Sequence, residues 1–317
     1  MRRLFRLLAL LLLAVVVFVA LFLAWNHYQL RGLRPLLPTQ STLGAAGSLG
    51  SAGELPVRIR AIESASQTMP RGQVLAAGEA EADAPFEMSH VSFVIGWADG
   101  RLFVVDAGME PEAAIAFGQP VKLLAGGSTV ETTASLADQL GAATARVSGI
   151  GFTHLHADHV QGIGALCRAR RETLPLYRGR LQHEKTNFTT DPGKTLLDEA
   201  GCTDAQVIGD AGLLPVPGHP GLALVPVAGH TPGSQVFVVD VQKAGGAPHR
   251  YWISGDVANA KDGILEDIGK PWAYRTFLVP EDEERLGEVR RWLRELASKP
   301  DSTLFVPHDR ASHTAIR

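Results

Sequence analysis

The stretch Gly151–Gly162, GFTHLHADHVQG, places three imidazoles and one carboxylate within six positions: His154, His156, Asp158 and His159. In an extended segment His154 and His156 project to the same side. Asp158 and His159 then turn at the start of a helix expected over HVQGIGALCRARRE. A lone surface histidine carries no information, and in a chain with 11 histidines a close pair is unremarkable. Three around one carboxylate is a different pattern. Imidazole with carboxylate suits zinc, manganese or iron, and the absence of thiols argues against copper(I).

Further apolar runs also end in chemistry-bearing residues. Val147–Phe152 reads as a buried strand leading into the cluster. Leu222–Val227 runs into AGHTPGSQ with His230, Tyr251–Ile253 into SGD with Asp256, and Thr303–Val306 into PHD with His308. Ligands at several strand ends converge on one edge of a sheet system, as expected of a site built from loops on a rigid scaffold. Val91–Trp97 and Leu102–Val105 read as a hairpin around Asp99-Gly100. Val236–Val241 reads as a strand and the segment from Thr132 as a helix. After Pro280, EDEERLGEVRRWLRELAS has acids in its first turn and Leu286, Val289, Trp292, Leu293 and Leu296 at helical spacing.

With these residues in this order, the chain resembles the metallo-β-lactamase superfamily over about Val91 to Asp309. VVDAG at Val104–Gly108 resembles the early element whose aspartate supports the metal loop, and AGHTPGS, SGD and VPHD resemble the later metal elements. The resemblance implies an αββα four-layer sandwich, two mixed β-sheets flanked by helices. It implies two divalent metals, zinc first, with manganese or iron as alternatives. His154, His156 and His230 would hold the first metal and Asp158, His159 and His308 the second, with Asp256 bridging. His90, His183, His219, His249 and His313 match no ligand element and are expected to be ordinary histidines.

The implied reaction is hydrolysis of an ester, lactone or similar small-molecule bond by a metal-bridging hydroxide, with Asp158 and Asp256 as catalytic carboxylates. No side-chain nucleophile is needed, because metal-bound water reaches a pKa of roughly 7. A bridging aspartate resembles the lactonase, thioesterase and phosphodiesterase branches, and the absence of cysteine from the metal elements is unlike true β-lactamases. The layout, with one long helix between Asp256 and His308, is most similar to the lactonase-like enzymes. Metallo-β-lactamase or phosphodiesterase activity is the alternative. A non-catalytic envelope binding or sensor module is the alternative from another class, and an iron-dependent oxidation a third. Lactonases of this branch often carry a tyrosine three residues after the bridging aspartate, where this chain has Asn259. Tyr251 and Tyr274 are the candidates to replace it.

The chain has 317 residues, 45% hydrophobic and 20% charged, with a formal net charge of −3. These are globular values without the basic excess of a nucleic-acid binder. The partners expected are a small-molecule substrate and a membrane. Residues 1–28 read as a membrane anchor or signal segment. Three arginines precede Leu7–Trp25, 19 apolar residues without a break, which as a helix span roughly 28 Å, close to a hydrocarbon core. The early arginines and the absence of a clean cleavage site favour an uncleaved anchor with the catalytic domain exported. Secretion after cleavage is the alternative. Residues 29–54, with the small polar run TQSTLGAAGSLGSAGE, read as a flexible linker, and 55–317 as the metallo-hydrolase domain. Cys167 and Cys202 either pair in an oxidising compartment or stay as two buried thiols.

Overall fold

The computed structural model describes residues 2–317 apart from 77 and 244. Two mixed sheets lie face to face. The first orders its seven strands β4-β1-β2-β3-β5-β6-β7. They are β1 (Arg58–Pro70), β2 (Pro85–Gly96), β3 (Leu102–Val105), β4 (Glu131–Thr132), β5 (Val147–Gly151), β6 (Leu174–Arg178) and β7 (Thr203–Val207). The second orders five as β12-β11-β10-β9-β8: β8 (Leu214–Pro215), β9 (Leu222–Pro226), β10 (Gln235–Val241), β11 (His249–Ile253) and β12 (Ser302–Phe305). The helices are α1 (Arg2–Leu30), α2 (Gln40–Ala46), α3 (Pro111–Ala125), α4 (Leu136–Leu140), α5 (Ala157–Val160), α6 (Ile163–Arg170), α7 (Arg180–Glu184), α8 (Asp191–Ala200), α9 (Lys261–Leu265) and α10 (Glu283–Ala297).

Strand periodicity divides the core into three slabs. Along β10, Phe237 and Val239 face the first sheet, where they meet Phe93, Phe103 and Val105. Val236 and Val238 point the other way, onto Leu286, Val289 and Leu293 of α10. The first sheet covers its outer face in the same manner, with Ile150 and Leu176 against Leu136, Ile163, Leu166 and Leu197. Gly151 is forced by this packing, because a Cβ there would lie 2.5 Å from the Phe237 ring. The four-layer αββα arrangement is therefore present. Between the parallel neighbours β11 and β12, α10 is the crossover. Its start is capped by Asp282, which accepts from the Arg285 amide at 3.0 Å.

Several local expectations shift. The helix expected from Thr132 is only α4 followed by a 3-10 turn, since Thr132 pairs with Ala65 of β1 and Ser135 caps the helix start. The helix after the histidine cluster divides into α5 and α6.

Residues 29–54 are not a free linker but a strap laid along the second sheet. Leu37, Leu43 and Leu49 pack onto the slab beneath α10. Arg285 donates to the Pro35 carbonyl, Trp292 to that of Pro38 and Arg250 to that of Gly47. The Leu49 amide donates to Asp240 at 2.8 Å. The apolar segment forms one 29-residue helix whose most apolar window has a mean hydropathy of 3.3 and no buried residue. It is long and apolar enough to cross a membrane.

Cys167 and Cys202 are joined in a disulfide across 35 residues, tying α6 to the residue before β7. Closing a loop of that length in the unfolded chain is worth about 4 kcal/mol. Cys167→Ser is therefore expected to lower the unfolding free energy by roughly 3–4 kcal/mol in urea titrations without reductant. An unchanged midpoint would show that the bond does not constrain the chain.

Candidate metal centre

The histidine stretch leaves β5 and is fixed by an aspartate from the adjoining strand end. Asp106 follows β3 with φ at 60°, a strained conformation for a residue with a side chain. Its carboxylate accepts from the Thr153 amide at 2.7 Å, the Thr153 hydroxyl at 2.8 Å and His159 Nδ1 at 2.9 Å. After β9, Ala228 and Gly229 adopt φ of 56° and 101° and turn His230 inward. After β11, Gly255 has φ of 56°, and a Cβ on it would lie 2.8 Å from that of Thr153. Only glycine permits the turn that delivers Asp256. His308 follows β12.

These ends converge. His154, His156, His230 and Asp256 offer ligand atoms all within 4.8 Å of one another, and so do His159, Asp256 and His308. Asp256 belongs to both groups. Its Oδ2 lies 3.1 Å from His308 Nε2, 3.6 Å from His230 Nε2 and 3.9 Å from His154 Nε2, and its Oδ1 3.4 Å from His159 Nε2. Asp158 Oδ2 is 3.4 Å from His308 Nε2 and 3.7 Å from His159 Nε2. All seven residues named from the sequence are thus in one buried cluster.

The hydrogen bonds around the cluster fix which ring nitrogen faces inward. His159 donates through Nδ1 to Asp106, His308 through Nδ1 to the Ser89 carbonyl at 2.8 Å, and His230 through Nδ1 to Glu281 at 2.5 Å. Thr153 gives its hydroxyl proton to Asp106 and accepts from His154 Nδ1 at 3.2 Å. Thr189 gives its proton to Asn187 and accepts from His156 Nε2 at 2.9 Å. Each imidazole therefore spends its proton outward and turns a lone pair to the centre, as metal-ligating histidines do.

Inside, lone pair faces lone pair. His156 Nδ1 is 3.2 Å from His230 Nε2 and His159 Nε2 is 3.3 Å from His308 Nε2. His154 Nε2 and Asp256 Oδ1 have no hydrogen-bond partner. Such a buried arrangement is unfavourable without cations between the groups, so the residues fit a metal pair.

For His154, His156 and His230 the electrostatics agree. Burial, with the neighbouring imidazoles, holds His154 far below the ordinary imidazole range and His156 down to about 3. His230 falls too, through burial and then Lys270. These rings are neutral and ready to ligate at neutral pH. Burial works against ionisation of Asp256, yet His308, His154 and His159 hold it well below the usual carboxylate range. Asp158 is lowered against burial by His159, His90 and His308.

Three contributors were not read from the sequence. His90, expected to be ordinary, has Nδ1 3.2 Å from Asp158 Oδ2 and lies edge-on to His308, ring centroids 5.0 Å apart. Only the polar run EMSHVS inside a strand hints at it. Glu281, read with the acids of the following helix, lies before the Asp282 cap and is fully buried. Lys270 donates to Glu281 at 2.6 Å and to the Asp256 carbonyl at 2.7 Å. No spacing pairs these two, because the bond crosses between separate loops.

The tyrosine question resolves by position. Asn259 is buried with Oδ1 unpartnered. Tyr251 stacks on Phe305, between the sheets. Tyr274 lies beside the centre, its ring centroid 5.4 Å from the Lys270 ammonium; burial, followed by Glu281, Asp256 and Asp158, pushes its phenol well above the ordinary range. It is a protonated donor at neutral pH.

The profile of the metallo-beta-lactamase superfamily matches residues 85–308. No curated protein matches the chain. Among solved structures, an N-acyl homoserine lactone hydrolase with the product N-hexanoyl-L-homoserine at its catalytic metal center superposes with a TM-score of 0.60 at 16% identity, covering 83% of this chain and 97% of that one. AiiA of B. thuringiensis, as a variant with N-decanoyl-L-homoserine at the active site, gives 0.60 at 17% identity, over 83% and 97%. AidC, a dizinc quorum-quenching lactonase, gives 0.54 at 13%, over 79% and 86%. At these identities the likeness is one of fold.

Proposed function

The chain belongs to the metallo-β-lactamase superfamily, and from that membership and the geometry of its centre we propose that it is a membrane-anchored dizinc hydrolase of carboxylic esters or lactones. The observation that carries the reading is the set of five inward lone pairs closed around Asp256. In this reading His154, His156 and His230 hold one metal, and Asp158, His159 and His308 the other. Asp256 lies between them, the one carboxylate among the described residues that belongs to both groups. A divalent pair supplies hydroxide at neutral pH and an electrophile for the carbonyl oxygen.

The chain's own groups do the rest. Asp158, with His90 against its Oδ2, is placed to accept the proton released on attack and hand it to the leaving oxygen. Tyr274, kept protonated, donates a hydrogen bond to the carbonyl or leaving oxygen, the task for which Asn259 lacks an acidic proton. Glu281 and Lys270 hold His230 in the tautomer whose Nε2 faces inward. The lactone hydrolases of similar fold support the choice of ester or lactone.

The disulfide supports a body exported to an oxidising compartment. An anchor that is retained rather than cleaved is supported by the packing of its end: Leu30 and Asn26 are buried, and the Phe22 ring lies 4.9 Å from that of Phe188.

Two measurements test this reading. Zinc-loaded protein, full length and in detergent, is offered a lactone, a carboxylic ester, a thioester, a phosphodiester and a β-lactam. Turnover of the lactone or ester is expected to exceed that of the others, and preference for the phosphodiester or β-lactam would overturn the assignment. Tyr274→Phe is expected to lower kcat by about 10–100-fold with metal content unchanged. Full activity in that variant would remove the phenol from the reaction.

A further inference from the structure

The two segments that wall the metal centre also touch the apolar helix. His156 bonds to Thr189, and the next residue back, Phe188, packs its ring on Phe22 of α1. Tyr274 begins a turn running to Leu278, and within it the Thr276 carbonyl lies 3.3 Å from His27 Nε2 of α1. Phe22 is inside the unbroken apolar run, three residues before its end at Trp25. At 1.5 Å per residue that is roughly 5 Å from the run's end. A bilayer that holds α1 therefore sets both walls at its surface.

The surface there is built for contact with lipid. Trp272, Phe277 and Leu278 are 61%, 50% and 62% exposed. Trp272 and Phe277 pack edge to face, 5.2 Å apart, a rigid apolar pair. Trp25 and Tyr28, also exposed, stack on one another at 5.8 Å. Tryptophan and tyrosine settle at the boundary between headgroups and acyl chains. Exposed aromatics continuous with a spanning helix are covered by the same bilayer.

We infer that the metal centre opens onto the membrane that α1 enters, and that the substrate is an amphiphile dissolved in that membrane, an ester or lactone with a long acyl chain. The chain passes the rim formed by Phe188, Trp272, Phe277 and Leu278 while the carbonyl reaches the metals. This rests on the hydrolase and anchor readings above and narrows them to a substrate class.

The test uses the full-length, zinc-loaded protein in phosphatidylcholine vesicles with and without bromine on the acyl chains. Tryptophan fluorescence is compared between the wild type and Trp272→Phe, so that the difference reports Trp272 alone. Hydrolysis of an acetyl ester and of a dodecanoyl ester of the same alcohol is followed in the wild type and in a triple variant, Trp272→Ser with Phe277→Ser and Leu278→Ser. The Trp272 signal is expected to be quenched by brominated lipid. The triple variant is expected to raise the apparent KM for the dodecanoyl ester about tenfold, a change of some 1.4 kcal/mol, and to leave the acetyl ester rate unchanged. Unquenched Trp272, or equal loss on both esters, would overturn the inference. Quenching without hydrolysis of either ester, or of a dodecanoyl lactone offered beside them, would refute the hydrolase reading and still place the mouth at the membrane.

Discussion

Asp256→Ala is expected to abolish turnover and to release metal. The carboxylate is buried and lies 3.1–3.9 Å from the inward nitrogens of His308, His159, His230 and His154. No other described residue joins both ligand groups. Without it, two clusters of imidazole lone pairs lose the negative charge that, on the proposed reading, would hold them to one pair of cations. Metal content should fall from about two equivalents to one or fewer, and kcat/KM by about a thousandfold or more. Elemental analysis and kinetics on the same preparation check this. A variant with both metals and more than a tenth of the wild-type rate would assign the bridge elsewhere.

Lys270→Met is expected to destabilise the fold as well as the site. The Lys270 and Glu281 side chains are 2% and 0% exposed, 2.6 Å apart. Removing one partner of a buried pair strands the other, at about 3–5 kcal/mol. That corresponds to a fall in Tm of roughly 10 °C for a domain of this size. Burial already raises the Glu281 carboxyl, with Lys270 pulling it down. Without the ammonium, Glu281 should take up a proton, and His230 loses the anion that receives its Nδ1 proton. The double variant Lys270→Met with Glu281→Gln should recover most of the lost stability, because no lone charge remains. Thermal melts of metal-stripped protein separate this effect from metal binding. Equal melting of the single variant and wild type would mean the pair contributes nothing net.

The clustered residues were legible because His154, His230, Asp256 and His308 each fall just after an apolar run that reads as a buried strand. Strand ends on one edge leave their next residues close together, so order along the chain became proximity. His90 escaped the same reasoning because it lies inside β2, where it faces the site through the sheet and not from its edge. Glu281 sat among the acids of a helix start, and what separates it from Glu283 is the cap at Asp282, which is a matter of backbone geometry. Strand β1 was missed because its interior is polar. Ser64 donates to the His90 carbonyl and Gln67 to those of Gly118 and Ser128, so buried hydrogen bonds replace the apolar alternation that marks a strand.

The strap over residues 29–54 was obscured by composition. Glycine, alanine and serine suggest a free chain, while three leucines spaced six apart fasten it. The cysteine pair was open in the sequence, since nothing there gives the 5.7 Å between their Cα atoms. The tyrosine substitution was half legible. Two candidates stood against Asn259, and only the turn at Tyr274–Leu278 brings one of them, Tyr274, beside Lys270 and so next to the centre.

The most direct single measurement is a chelation and reconstitution cycle on the full-length protein, with zinc counted per chain and hydrolysis of a long-chain lactone followed at each stage. About two zinc ions per chain, loss of turnover on chelation and its return with the second equivalent are expected. A protein that binds no zinc at the centre, or whose turnover is indifferent to the chelator, would contradict the account.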